Sequence, residues 1–446
     1  MRDVNQNPCN MCMPMGGIFA FKGVEGSMVI IHGSQGCSTY MRRHMAEHFN
    51  EPIDVASSSL NEKGTVYGGE ANLKKGLDNV ITLYQPRLIG VLTTCLAETI
   101  GEDIDRIASQ YMEEKSLTDL NIIAASTPGY GGSHAEGYFR TARKIIESLT
   151  YKTEKHSKIN IIVPIISPAD IREIKRILNA LDIEYVIFPD YSDTLDQPFA
   201  RPYNKNPDGG TKLHDIASMA GAAATIQMGI TVDDAISPGR YLEQQFGIPL
   251  YNLPIPIGVE ATDRFIDTLV RITGCVVPDS LKQERGRLID AMIDAHKHNF
   301  EARCTIFGDP ENVYAVAKMC MENGIVPAVA ATGSPSPKLG EALGDHPHIC
   351  VLTESDFMQI LEKSTEENVD FAIGGSDGKF LSDEGNIPLI RYGFPIHDRI
   401  GGQRLLSVGY TGTTLLLDRM TNTLLSIKYD NYRDKMRQRY LADMQR

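Results

Sequence analysis

Short apolar, β-branched runs alternate with segments of helical period along most of this chain, and that alternation restricts the fold more than any other feature. Ile159 to Pro164 reads as a buried strand. Pro168 to Leu181 then sets Ile171, Ile174, Ile177, Leu178 and Leu181 on one helical stripe, and Tyr185 to Phe188 is the next strand. The rhythm returns in Cys304 to Phe307, a helix from Glu311 to Asn323 stopped by Asn323-Gly324, Val326 to Ala330, His348 to Leu352, a helix near Ser355 to Lys363, and Phe371 to Ile373. Nearer the start, Leu88 to Leu92 and Ile122 to Ala125 read as strands, with helices at Asn72 to Tyr84 and Gly137 to Leu149. Strands that are apolar throughout and spaced by helices predict parallel sheets covered on both faces. The expected fold class is therefore α/β, with three doubly wound parallel-sheet (Rossmann-like) domains at residues 1–155, 156–300 and 301–446. Tyr191 to Gly210 reads as an irregular excursion, Asp279 to His298 as a charged helix leading into the third domain, and the chain is expected to end in a helix.

Charge and patterning exclude several function classes. Across 446 residues, 44 Lys and Arg face 57 Asp and Glu, a formal net charge of -13, which opposes binding to nucleic acid or an anionic membrane surface. No apolar run approaches the length of a membrane span, and the first residues lack the apolar core of a signal peptide, so a cytoplasmic location is expected. The 8 cysteines are then thiols rather than a disulfide framework. Phosphate motifs fail: Gly374 to Phe380 has the wrong spacing for a P-loop, and Gly129 to His134 carries histidine where a dinucleotide loop needs its third glycine.

Two patterns could carry metal chemistry. His44-Met45-Ala46-Glu47-His48 matches H-x-x-E-H, two imidazoles on one helical face beside a carboxylate, as in a zinc hydrolase, although no further ligand is evident. The cysteines form the other. Cys304, Cys350, Cys320 and Cys275 lie in strand or helix patterns and read as buried filler. Cys12, Cys37 and Cys95 lie in loop contexts rich in glycine or proline: Cys12-Met13-Pro14-Met15-Gly16-Gly17, His32-Gly33-Ser34-Gln35-Gly36-Cys37 and Thr93-Thr94-Cys95. Glycine lets amide N–H groups approach sulfur and proline fixes a turn, while soft thiolates select zinc, Cu(I) or iron–sulfur clusters. Cys9-Asn10-Met11-Cys12 is formally a C-x-x-C pair, but it lies far from any βαβ unit that a redox site of that kind uses. Three thiolates do not complete an iron–sulfur cluster, which typically takes four, so a second chain is expected to supply the rest.

With those residues in view, the chain resembles the component-1 proteins of nitrogenase and nitrogenase-like reductases, specifically the β-type subunit. The likeness is carried by Cys12-x-Pro14-x-Gly16, by His32 to Cys37, by Ser57-Ser58-Ser59 with Val66-Tyr67-Gly68-Gly69, and by Thr93 to Asp103. It continues through Ile255-Pro256-Ile257-Gly258, Glu284 to Leu288, Phe307-Gly308-Asp309-Pro310 and Arg391 to Ile396. The resemblance implies an α2β2 heterotetramer with an α-type component 1 subunit and an [8Fe-7S] P-cluster shared across the αβ interface, held on this side by Cys12, Cys37 and Cys95. It also implies an ATP-dependent iron protein as electron donor, docking near Tyr67, and a catalytic metallocluster on the partner chain. Two departures stand out. Gly129 occupies a position where molybdenum nitrogenase has a serine able to ligate the oxidised cluster, and only 11 residues precede Cys12. Both fit a nitrogenase-like enzyme such as methylthio-alkane reductase, or a cofactor-assembly scaffold paralogue, although a scaffold often lacks the cysteines.

Overall fold

The computed structural model describes residues 8–202 and 204–444, and three parallel sheets organise them. The first holds β1 (Ser27–His32), β2 (Ala56–Ser57), β3 (Leu88–Thr93) and β4 (Asn121–Ala125) in the order β2-β1-β3-β4. The second holds β5 (Ile159–Ile162), β6 (Tyr185–Phe188), β7 (Ala224–Met228) and β8 (Leu250–Leu253) in the order β6-β5-β7-β8. The third holds β9 (Arg303–Phe307), β10 (Val326–Ala331), β11 (Cys350–Leu352), β12 (Phe371–Gly374) and β13 (Leu389–Arg391) in the order β11-β10-β9-β12-β13. In each sheet the order reverses beside the first strand, and that is where an α/β sheet opens a crevice at its C-terminal edge.

The parity of β1 shows why such strands are apolar throughout. Met28 and Ile30 pack with Leu73, Leu77, Val80, Ile107 and Tyr111 on one face, while Val29 and Ile31 join a larger core with Phe19, Tyr138 and Ile145 on the other. A strand covered by helices on both sides has no solvent face to make polar. The larger core continues through Ile171, Phe265, Cys304 and Val316, so one apolar interior serves all three sheets. The final helix, Gly409–Met444, turns back toward the second sheet: Tyr410 donates to Asp263 at 2.6 Å, and Thr421 donates to Asn299 on the helix Asp279–Asn299 at 3.0 Å. Among the described residues no helix is long and apolar enough to cross a membrane.

Of the elements not legible beforehand, two shape the site. The helix Met13–Lys22 contains Gly16-Gly17, which reads as loop, yet both are buried in a helix packed against His134–Leu149. A Cβ on Gly16 would lie 1.8 Å from the His134 carbonyl oxygen, and one on Gly137 would lie 2.1 Å from that of Met13. These glycines let two helix backbones touch, an advantage that outweighs their poor helix propensity. Strand β1 was hidden by the glycines at both its ends.

Candidate metal centre

Three adjacent strands of the first sheet run out at the same edge, and each delivers part of one site. Strands β1 and β3 are paired in register from Ser27↔Leu88 to His32↔Thr93, so their C-terminal ends are level. After β1 the chain turns through Gly33 and Ser34 into the helix Gln35–Phe49, whose third residue is Cys37. After β3, Thr94 caps the short helix Cys95–Thr99, which places Cys95 at its first position. After β4, Gly129 opens a 3-10 turn. Cys12 arrives from outside the sheet as the N-cap of Met13–Lys22, bridged in backbone to Ser133. All three cysteines therefore stand at helix starts, not in free loops, where unpaired N–H groups favour a thiolate.

The sulfurs of Cys12 and Cys95 converge on Gly129. Its N–H donates to the Cys95 Sγ at 3.1 Å, and a Cβ on this residue would lie 3.2 Å from the Cys95 Sγ and 3.6 Å from the Cys12 Sγ. Ser34 donates to the Cys37 Sγ at 3.6 Å. Burial, followed by the negative charges of Cys95 and Cys37, pushes the Cys12 thiol above its ordinary pKa. The reach of those two charges to the Cys12 thiol puts the three cysteines in one neighbourhood. Cys12 and Cys95 are exposed and Cys37 half-buried, so the group faces outward.

The surroundings brace that arrangement. Thr93 donates to Glu98 at 2.6 Å and accepts from the Thr127 N–H at 2.8 Å, Thr127 donates back to the Thr93 carbonyl at 2.9 Å, and Ser126 donates to Glu98 at 2.5 Å. These bonds lock the Gly129 loop to the start of the Cys95 helix. On the other side, the Met11 N–H donates to Nδ1 of His134 at 3.2 Å, and Nε2 of that ring stands 2.8 Å from Asp309, so the segment carrying Cys12 is anchored to both the first and third sheets. Sequence reasoning missed this bracing, since a buried Thr or His in a loop carries no signal until its partners are known.

Elsewhere the structure sorts the remaining candidates and corrects the expected burial of Cys275 and Cys350. Cys9 and Cys12 do not act as a pair: Cys9 is held against the third sheet, donating its N–H to the Ser355 carbonyl at 3.2 Å, and burial raises its thiol pKa. Cys304 and Cys320 are fully buried with sulfurs 3.8 Å apart, as filler should be, but Cys275 and Cys350 are only half-buried, at a helix end and on an edge strand. The H-x-x-E-H residues do not meet. His48 is buried, accepts the Ile396 N–H on Nδ1 at 2.8 Å, and is pushed down to about 3 by burial. His44 instead lies edge-on to Tyr40 with ring centroids 4.4 Å apart, and Glu47 pairs with Arg43 at 2.8 Å. Among the described residues no three His, Cys, Asp or Glu side chains close around a single ion. Tyr67 ends the helix Glu62–Tyr67 and is 83% exposed beside an equally bare Val66, so its ring serves no packing role within this chain.

The donor set suits a polynuclear iron–sulfur group better than a lone ion. Three clustered soft ligands repel one another as thiolates, and a polycationic core shared with other ligands relieves that repulsion. The glycine at 129 leaves room beside two of the sulfurs that a side chain would fill.

Comparison with known proteins points the same way. Residues 12–425 match the family model described as nitrogenase component 1 type oxidoreductase. The chain is 38% identical over 429 residues to the nitrogenase molybdenum-iron protein beta chain of Clostridium pasteurianum, covering 94% of this chain and 93% of that one. It is 32% identical over 437 residues to the nitrogenase vanadium-iron protein beta chain of Trichormus variabilis, covering 94% of each. A solved structure described as nitrogenase Cp1 at pH 6.5 superposes with a TM-score of 0.90 at 37% identity, over 96% of this chain and 94% of that chain.

Proposed function

The chain belongs to the nitrogenase component 1 family of oxidoreductases as a β-type subunit, and from that premise we propose that it relays electrons by holding one side of an [8Fe-7S] P-cluster through Cys12, Cys37 and Cys95. The observation that carries this is the convergence of the Cys12 and Cys95 sulfurs on Gly129, at an outward-facing strand edge. An α-type subunit supplies the remaining ligands in an α2β2 assembly in the cytoplasm, and it carries the catalytic metallocluster. The division at residues 155 and 300 belongs to the same proposal, each segment holding one sheet.

When bound, the cluster supplies one-electron redox chemistry. This chain's residues prepare the place for it. The Gly129 N–H and the helix starts stabilise negative sulfur, and hydrogen bonds from amides and hydroxyls to sulfur tune reduction potential. The Thr93, Glu98 and Thr127 bonds hold the Cys95 and Gly129 loops in one arrangement, so little reorganises when charge changes. Exposed Tyr67 and Val66 offer a contact for an ATP-dependent iron protein. Names of molybdenum–iron and vanadium–iron relatives support nitrogen as the assembly's substrate over a methylthio compound.

The test is anaerobic purification of the assembly with Cys37→Ala in this chain, followed by iron counting and reductive turnover with a competent iron protein. Loss of cluster iron and of turnover is expected; retention of both would overturn the reading. An assembly that keeps its iron but turns over no substrate, and instead releases a cofactor precursor to an apo-enzyme, would identify the scaffold alternative.

A further inference from the structure

The helix Glu62–Tyr67 has little to hold it in place. It is 6 residues long, Gly64 is its one buried residue, and Val66 and Tyr67 stand bare at its end. A helix this short is not stable by itself. Its start is fixed locally: Asn61 accepts the Gly64 N–H at 3.0 Å, and Leu60 donates its N–H to the Gly33 carbonyl at 2.8 Å. Its end has one anchor. Among the described residues, the single hydrogen bond that ties residues 62–69 to a segment outside 61–73 runs from the Gly69 N–H to Oε1 of Glu102, at 2.6 Å.

The Glu102 carboxylate meets a second group. His32, at the end of β1, is fully buried; its Nε2 makes no hydrogen bond among the described residues and stands 3.5 Å from Oε2 of Glu102. The other side of the ring shows which nitrogen carries the proton. Ser58 Oγ accepts the Gly33 N–H at 3.1 Å, so its own hydrogen is free to donate to Nδ1 of His32 at 2.9 Å. Burial pushes the imidazole below its ordinary pKa and keeps it neutral, with its one proton on Nε2 facing the carboxylate. The ring also packs against the anchored segment, since a Cβ on Gly69 would lie 2.9 Å from Cε1 of His32.

Both residues belong to the edge that carries the cysteines. The His32 carbonyl accepts from the N–H of Thr94 at 3.2 Å and from its hydroxyl at 3.3 Å, and Thr94 caps the Cys95 helix. The Glu102 N–H donates to the Ala97 carbonyl within that helix at 3.1 Å.

We infer that Glu102, backed by His32, is a positioning residue for the iron protein: it latches Gly69 to the sheet edge and so presents the Tyr67 ring at a fixed place relative to that edge. The inference rests on the docking of an ATP-dependent iron protein proposed for Tyr67, and it adds the groups that hold that contact in place. With side chains 0% and 9% exposed, His32 and Glu102 act through Tyr67 rather than by touching the partner.

Hydrogen exchange on the anaerobically purified assembly reads the latch directly. The Gly69 amide should be protected. Glu102→Ala should speed exchange across residues 62–69 about tenfold, while Glu102→Gln, which keeps an acceptor, should stay within about twofold of the unmodified protein. In turnover, Glu102→Ala should raise the iron protein concentration needed for half-maximal rate about fivefold, with iron content and the saturating rate unchanged, and Glu102→Gln should restore it. A joint fall in iron and saturating rate would mark a structural role and overturn the proposal. So would a loosened segment with unchanged half-saturation, or, with no variant needed, an unprotected Gly69 amide in the unmodified assembly. Tyr67→Ala separates the two readings. If it leaves half-saturation unchanged, the docking assignment fails and takes the latch's role with it; if it raises half-saturation and Glu102→Ala does not, the latch alone fails.

Discussion

Sulfur occurs in two settings in this protein, and the contrast separates ligand from filler. At the edge of the first sheet, Cys12 and Cys95 are exposed, stand at helix starts and gather around a glycine. Between the third sheet and its helices, Cys304 and Cys320 are sealed in the core, with the Cys320 sulfur 3.9 Å from that of Met420. Sulfurs lie close together in both places. What differs is access and the polar surroundings: the edge offers N–H and hydroxyl donors, whereas in the core burial drives the Cys304 thiol well above its ordinary pKa and keeps it protonated.

The largest test of this contrast exchanges one cysteine from each region. Cys95→Ala should strip most of the cluster iron from the purified assembly, whereas Cys304→Ala should leave iron unchanged and cost about 1–2 kcal/mol of stability in chemical denaturation. Equal iron loss from both would erase the distinction. Next comes the scaffold that presents Cys12. Gly16→Leu places a side chain where the His134 backbone already stands, so it should force the two helices apart at a cost above about 3 kcal/mol and lower iron content with it.

The cysteines of the edge were legible as a set because their glycine and proline neighbours are unusual beside thiols. Their convergence came from the resemblance and not from residue patterns, since it depends on β1, which glycines at both ends disguised, and on two helices whose Gly16 and Gly137 let their backbones touch. The alternation of apolar runs and helical stripes revealed three parallel sheets, because strands buried on both faces have no polar residues to blur the pattern. Cys350 was misjudged for the converse reason: an apolar run does not say whether its strand lies at the centre or the edge of a sheet, and β11 is an edge.

A smaller effect probes the dry interior. Burial pushes the Glu311 carboxyl up to about 7. The folded protein therefore keeps a proton that the unfolded chain releases at lower pH, so this group's contribution is full in acid and fades as pH rises through about 7. Thermal midpoints should fall by roughly 2–5 °C between about pH 5 and 8 on its account. Glu311→Gln should flatten that portion of the profile whatever its absolute midpoint; an unchanged slope would contradict the buried-carboxyl assignment. The smallest expected effect is at the surface. Tyr67→Ala should leave iron content and thermal midpoint untouched while weakening docking of the iron protein about tenfold, read from turnover at limiting iron protein.

Diffraction from crystals of the anaerobically isolated assembly, collected on both sides of the iron absorption edge, tests the central claim most directly. Iron bonded to the sulfurs of Cys12, Cys37 and Cys95 together, with further ligands from the neighbouring chain, is the predicted result. Three sulfurs that meet only solvent or protein, with the iron elsewhere, would contradict it.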